Sequence, residues 1–393
     1  MRKLTIITPI SPSLLSRQYH LIFYILIIAS LLAGCGFSIL PEATRTPTIV
    51  PSATITATLT PSSTPSATPT LTLSPTLTPT HTKTPTQTPT MAPLAMFTTK
   101  QLREGILPVA YLSDTCAYLK QRWSPEASQP GTLVWPIMYH TIAQDFRTIT
   151  EPNRDITVSQ FLTFTEYAHS LGFETITTQQ LYDFLTSNAP IPKLSMMLII
   201  DDRRPGTIRD QFMPVLERYN WTVTAAYIVD PSEKQTWAIM DQLYATGRVD
   251  IQSHGYSGQV YIYPYTPEDK VKSEIWDSTP VLEQHTGLTP LAFIWPGGDF
   301  TPFSVLVAEV GGYKLGFTVF SRGPLMFNWI PQGEPERAIN APLMLLPRAW
   351  AGSANVNLEE AVKVSQQAAA FAEQNYPAEA AWYHTYCGGN LTK

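Results

Sequence analysis

From about residue 131 onward, continuous apolar runs alternate with stretches whose apolar residues recur at helical spacing. Leu133 to Tyr139 reads as a first strand that ends at His140. Between Phe161 and Leu171 the apolar positions Phe161, Phe164, Ala168 and Leu171 share one helical face, and Gly172 stops the helix. Ser195 to Ile200 is a second apolar run, ending in Asp201-Asp202. The same alternation then predicts helices around 212–219, 239–246, 271–285 and 303–310, with strands at 222–229, into Ser253-His254, at 291–295 and at 315–319. Strands that are apolar throughout and are joined by helices are covered on both faces, which predicts a parallel α/β sheet or a (β/α) barrel. In such barrels the polar residues at the C-terminal strand ends carry function. Here those ends hold His140, Asp201-Asp202, His254 and Pro296-Gly297.

The chain before residue 97 follows a different pattern. Arg2, Lys3 and Arg17 precede an apolar stretch from Leu21 to Leu32, the order of a secretory signal. Leu32-Ala33-Gly34-Cys35 then resembles the lipobox of bacterial lipoproteins, which implies a signal peptide over 1–34 and a mature chain whose Cys35 carries lipid. The alternative is an uncleaved membrane-spanning helix, because apolar residues continue through Phe37, Ile39 and Leu40. Either way the remainder is expected outside the cytoplasm and tied to a membrane. From Pro41 to about Pro93 the chain is dominated by Thr, Pro and Ser, so residues 35–96 are expected to form a disordered linker or stiff extended stalk with no core of its own. The folded domain is expected over 97–393.

Net charge is −5 with 15% charged residues, and no Lys/Arg cluster stands downstream of the N-terminus, which argues against a nucleic-acid partner. Beyond Cys35 only Cys116 and Cys387 remain, one near each end of the folded region. Domain termini often lie close together and disulfides persist outside the cytoplasm, so a bridge between them is one expectation, and two separate buried thiols the other.

Two adjacent carboxylates repel unless a cation or a shared proton compensates, so Asp201-Asp202 points to a metal or to an acid–base pair. An ordinary Asp-Asp corner accepting turn amides is the plainer alternative. The surrounding motifs change the balance. In order along the chain stand Met138-Tyr139-His140, Val158-Ser159-Gln160-Phe161 leading to Leu171-Gly172-Phe173, Ile199-Ile200-Asp201-Asp202, Asp250-Ile251-Gln252-Ser253-His254-Gly255-Tyr256-Ser257, Phe293-Ile294-Trp295-Pro296-Gly297-Gly298, Gly312-Tyr313-Lys314-Leu315-Gly316-Phe317 and Leu346-Pro347-Arg348. This ordered set resembles the polysaccharide deacetylase family, in particular its poly-N-acetylglucosamine deacetylase branch. The resemblance implies an irregular (β/α)7-type barrel with parallel strands and hydrolysis of N-acetyl groups on a cell-surface glycan such as peptidoglycan or poly-N-acetylglucosamine. It implies Asp201 as general base, His140 as general acid, and Asp202 and His254 as ligands of a divalent metal, typically zinc. Tyr139, Trp295, Pro296 and Gly297 would line the sugar site, and Arg348 would help hold Asp201.

Two positions depart from the family. The second metal-ligating histidine is absent, since His254-Gly255-Tyr256-Ser257 continues into Gly258 and Gln259. A catalytic zinc normally keeps three protein ligands, and Gln259, His285 or His384 would have to supply the third. Arg203 follows the carboxylates where a small residue is usual, and its guanidinium is placed to pair with Asp201 or Asp202 in place of metal charge. A catalytically degenerate glycan-binding lipoprotein is therefore the second reading. A glycosidase fits less well, because adjacent carboxylates do not readily flank one glycosidic bond at the separation that chemistry needs. Tyr261, Tyr263 and Tyr265 alternate and read either as sugar-stacking rings or as a half-buried edge strand.

Overall fold

The structure, a computed structural model, describes residues 94–393 apart from 101 and 232. The expected signal peptide over 1–34, the lipidated Cys35 and the linker up to residue 93 lie outside the described residues.

Seven short parallel strands form the centre of the domain. They are β1 (Leu133–Tyr139), β2 (Leu194–Asp201), β3 (Val223–Tyr227), β4 (Val249–Ser253), β5 (Ala292–Ile294), β6 (Leu315–Phe317) and β7 (Ala349–Trp350). The register runs Tyr139 beside Ile200, Asp201 beside Ala226, Tyr227 beside Ser253, and Ser253 beside Phe293. Consecutive strand ends therefore finish at nearly one level. The sheet curls until its edges meet through one segment: Leu346 bridges Phe317 in parallel, and three and four residues later Ala349 and Trp350 pair with Ile137 and Met138 of β1. The expected (β/α)7-type barrel is the observed architecture, with its last stave split by Pro347.

Side chains alternate across a strand, so each stave contributes to two layers. Trp135, Ile137, Tyr139, Met196, Leu198, Ile200, Val223, Ala225 and Tyr227 pack with helix residues such as Phe161, Phe164, Phe212 and Leu216 in an outer layer. Val134, Met197, Ile199, Ala226, Ile294, Phe317 and Leu346 form the inner one. That parity decides which strand-end residues face the barrel axis: His140, Asp201, His254 and Arg348 continue the inner set, whereas Tyr139 and Trp295 belong outside.

The covering helices are α1 (Thr115–Arg122), α2 (Val158–Ser170), α3 (Thr178–Ser187), α4 (Met213–Tyr219), α5 (Lys234–Tyr244), α6 (Glu268–Trp276), α7 (Ser278–Thr286), α8 (Pro302–Val310) and α9 (Ala354–Tyr386). Thr157 starts α2 with a reciprocal bond pair to Gln160, and Thr177 starts α3 likewise with Gln180. One expected helix, 271–285, is two. Pro280 lacks an N–H and its ring conflicts with the carbonyl four residues back, that of Trp276, where α6 ends. Two segments near the ends of the folded domain are tied together: Cys116 and Cys387 are disulfide-bonded, and the Trp123 indole donates to Glu379 at 2.6 Å. No helix of the described residues is long and apolar enough to cross a membrane.

Candidate active site

Asp201 closes β2 with its carboxylate almost wholly buried. Arg348, just before β7, has a fully buried side chain whose Nη1 donates to Asp201 Oδ1 at 2.6 Å and whose Nε donates to the Thr318 carbonyl at 2.7 Å. The guanidinium is thereby fixed between β6 and β7 and aimed across the barrel end. Burial pushes the Asp201 carboxyl upward, but the Arg348 charge, with His254 and His140, outweighs it and leaves the pKa below the ordinary carboxylate value. Asp201 Oδ2 remains, and His140 Nε2 lies 3.6 Å from it. Burial holds His140 below the usual imidazole value; Asp201 pulls it up and Arg348 pushes it down. A neutral imidazole thus stands beside an ionised carboxylate.

Asp202 turns the chain in a left-handed conformation, with φ +70°. Its Oδ1 lies 3.9 Å from His254 Nε2. His254 is buried, and its Nδ1–H donates to the Ile294 carbonyl at 2.8 Å, which fixes the ring with Nε2 facing Asp202. Asp202 Oδ2 accepts from Arg204 at 3.1 Å. This corrects the expectation for Arg203, whose guanidinium instead faces Asp230 and Glu233, each at 3.7 Å. The left-handed turn at Asp202 sends residue 203 away and brings 204 back.

His254 Nε2 and Asp202 Oδ1 are two suitable donors, but among the described residues no group of three or more His, Cys, Asp or Glu is placed to hold a metal. His285 is bonded to Asp241 at 2.8 Å and stacked on Trp237, and His384 faces the Gly389 carbonyl, so neither supplies the third ligand. Gln259 is exposed. Gly258, where the family places its second histidine, has φ +68°, and a Cβ built on it would lie 2.7 Å from Ile228 Cδ1. A side chain there is opposed by both backbone and space. The loop is instead closed from below by a carboxylate that the sequence did not single out. Glu274 of α6, nearly fully buried, accepts from the Ser257 and Gly258 amides and from the Ser257 hydroxyl.

The expected sugar-site residues divide. Gly297 is exposed and Pro296 is buried beside it. Tyr139 and Trp295 do not line an open site: Tyr139 is edge-on to Phe161 and Phe212 in the outer layer, and Trp295 is buried with its indole donating to the Met344 carbonyl at 2.8 Å. The aromatic ring that does stand at the acid is Trp350, half-buried, 6.2 Å from the His140 ring and 21° from parallel. Its signal in the sequence is its position two residues after Arg348, on the same side of an extended segment. An apolar cleft of about 390 Å³ bordered by Phe97, Tyr118, Phe327, Trp329, Phe371 and Trp382 shares no residue with this constellation.

Residues 189–316, less than half of the chain, match the polysaccharide deacetylase family. His140 and Arg348 lie outside the matched segment, and the fold brings both onto Asp201. Among solved structures, the Streptococcus pyogenes deacetylase PplD in complex with acetate is 19% identical with a TM-score of 0.48, covering 60% of this chain and 99% of its own. IcaB from Ammonifex degensii is 18% identical with a TM-score of 0.45, covering 61% and 98%. The de-N-acetylase from Aggregatibacter actinomycetemcomitans is 15% identical with a TM-score of 0.44, covering 56% and 94%. Comparison with curated proteins finds no match.

Proposed function

We propose that the protein hydrolyses N-acetyl groups from a cell-surface glycan, with Asp201 as general base and His140 as general acid. The observation that carries this reading is the line from the buried Arg348–Asp201 pair to the half-buried His140. Arg348 occupies one carboxylate oxygen and keeps the group ionised, leaving Oδ2 as the single basic atom. A water held there loses a proton to Oδ2 as its oxygen bonds to the acetamide carbon. Because burial keeps His140 neutral near pH 7, its proton has to come from within the cycle, and Asp201 Oδ2 at 3.6 Å is the donor at hand. The C–N bond then breaks as His140 gives that proton to the nitrogen, releasing acetate and a free amine. Trp350, parallel to His140, supplies the apolar surface against which the reacting sugar is held.

The same reading places the domain outside the cytoplasm on a Thr/Pro-rich stalk, tethered by lipid on Cys35. A second reading, a glycan-binding protein that no longer cleaves, is favoured by two observations: Arg204 already engages Asp202, and the partner ligand at 258 is glycine. Acetate release separates the two. The full chain is incubated with peptidoglycan fragments and with poly-N-acetylglucosamine, alongside metal stoichiometry on the same sample. Release that disappears in Asp201→Asn supports hydrolysis. Glycan binding with no acetate from the wild type moves the assignment to the second reading.

A further inference from the structure

The loop that follows His254 carries three tyrosines that the chemistry above does not use. Tyr261, Tyr263 and Tyr265 are 54%, 37% and 80% exposed. They do not form the edge strand that was the alternative, because the segment has no strand pairing. Their rings succeed one another at centroid distances of 6.1 and 5.3 Å, with planes only 16° and 28° apart. Solvent-exposed aromatic rings in a near-parallel series cost hydration free energy and are retained where something covers them.

The series is built to stay in place. Between the first two rings Ile262 turns inward and is 1% exposed, packed with Val271, Ile275, Phe293 and Trp295. The Thr266 hydroxyl donates to the Tyr261 carbonyl at 2.8 Å and accepts from the Tyr263 amide at 3.0 Å, and the Thr266 amide bonds back to the Tyr263 carbonyl at 3.0 Å. Tyr263 also interacts with the Asp299 carboxyl. The platform is continuous with the catalytic end of the barrel. A Cβ built on Gly297 would lie 3.6 Å from the Tyr261 ring, and Gly297 follows the strand whose Ile294 carbonyl holds His254.

We propose that Tyr261, Tyr263 and Tyr265 form a pre-ordered carbohydrate subsite that stacks the sugar rings flanking the one that loses its acetyl group. The inference rests on the glycan reading above and adds that the ligand is a chain of several sugars. A neutral pyranose fits this surface. Its axial C–H faces lie on aromatic rings while its hydroxyls and acetamides meet the tyrosine hydroxyls and Asp299, and no cation in the series selects a polyanion. Rigidity matters because an ordered platform loses little conformational freedom on binding.

The test uses the full chain and two probes, N-acetylglucosamine and its linear pentamer, with affinities from calorimetry, acetate release, and self-association by sedimentation. The variants are Tyr265→Ala, whose ring is the most exposed, and Tyr261→Ala/Tyr263→Ala/Tyr265→Ala, each checked for an unchanged melting temperature. Stacking of this kind predicts roughly threefold weaker pentamer binding for the single variant and roughly tenfold or more for the triple, with monomer affinity unmoved. Pentamer affinity equal to wild type in the triple variant overturns the subsite, as does a wild type that binds pentamer no better than monomer. A wild-type dimer that the triple variant dissociates, with pentamer affinity retained, assigns the rings to self-association and also overturns it. Tyrosine-dependent pentamer binding with no acetate released upholds the subsite while the hydrolytic reading fails.

Discussion

Replacing Arg348 by methionine tests the electrostatic frame of the site. Both side chains of the Arg348–Asp201 pair are essentially out of solvent, and the bond is 2.6 Å long. Removing one partner of a buried pair leaves the other charge uncompensated, which typically costs about 3–5 kcal/mol, far more than the pair itself is worth against an apolar replacement. The lost Nε bond also leaves the Thr318 carbonyl short of a donor. The pH dependence carries a definite sign. In the wild type the folded Asp201 pKa lies below its unfolded value, so its contribution is fully present above that unfolded value, about 4, and is lost as pH falls through the folded one. In Arg348→Met the effect of burial loses its main opponent and the carboxyl pKa rises; His140, Asp202 and His254 remain as the neighbouring titratable groups. Urea unfolding of both proteins at intervals from pH 7 to pH 3 is the assay. The stability gap is expected to be largest at pH 7 and to narrow toward pH 3, because the variant's carboxyl takes up its proton at higher pH than the wild type's, and the acid limb of acetate release moves to higher pH. A gap under about 1 kcal/mol at pH 7, or one that does not change with pH, refutes the reasoning.

Three further expectations follow from neighbouring features. Glu274→Ala strips three donors on Ser257 and Gly258 of their shared acceptor, and a loss of about 3 kcal/mol or more is expected in chemical denaturation, with the 255–258 amides gaining hydrogen exchange. Gly258→His alone does not create a metal site; it destabilises by about 1–3 kcal/mol through the left-handed backbone and Ile228, and zinc titration of that variant by calorimetry is expected to match wild type. Cys116→Ser or Cys387→Ser opens a loop with a sequence separation of 271, for which the chain-entropy account gives roughly 5 kcal/mol, measurable as a lowered melting temperature that reductant reproduces in wild type.

Much of the barrel could be read from the chain because its strands are short unbroken apolar runs, and Leu133–Tyr139 and Leu194–Asp201 lie within a residue of where the pattern put them. The site was legible where a residue follows or closes such a run, as His140 and Asp201 do, whereas His254 follows the mixed segment Val249–Ser253 and was placed by its motif. What motif order did not convey was side. Tyr139 and Trp295 sit in the right motifs but on the outer parity of their strands, so they pack with helices. Which of Arg203 and Arg204 turns toward Asp202 depends on one left-handed φ that composition does not announce. Glu274 reads as an ordinary polar residue of a surface helix, because its partners Ser257 and Gly258 belong to a loop 16 or 17 residues earlier.

The central claim is that Asp201, held by Arg348 and facing His140, is the base of an acetyl-transfer-to-water reaction. Acetate release from an N-acetylated glycan, measured side by side for wild type and Asp201→Asn with both shown to be folded by near-UV circular dichroism, tests it most directly. The account predicts release by wild type and a fall of about 100-fold or more in the variant. Release by Asp201→Asn at the wild-type rate would contradict it.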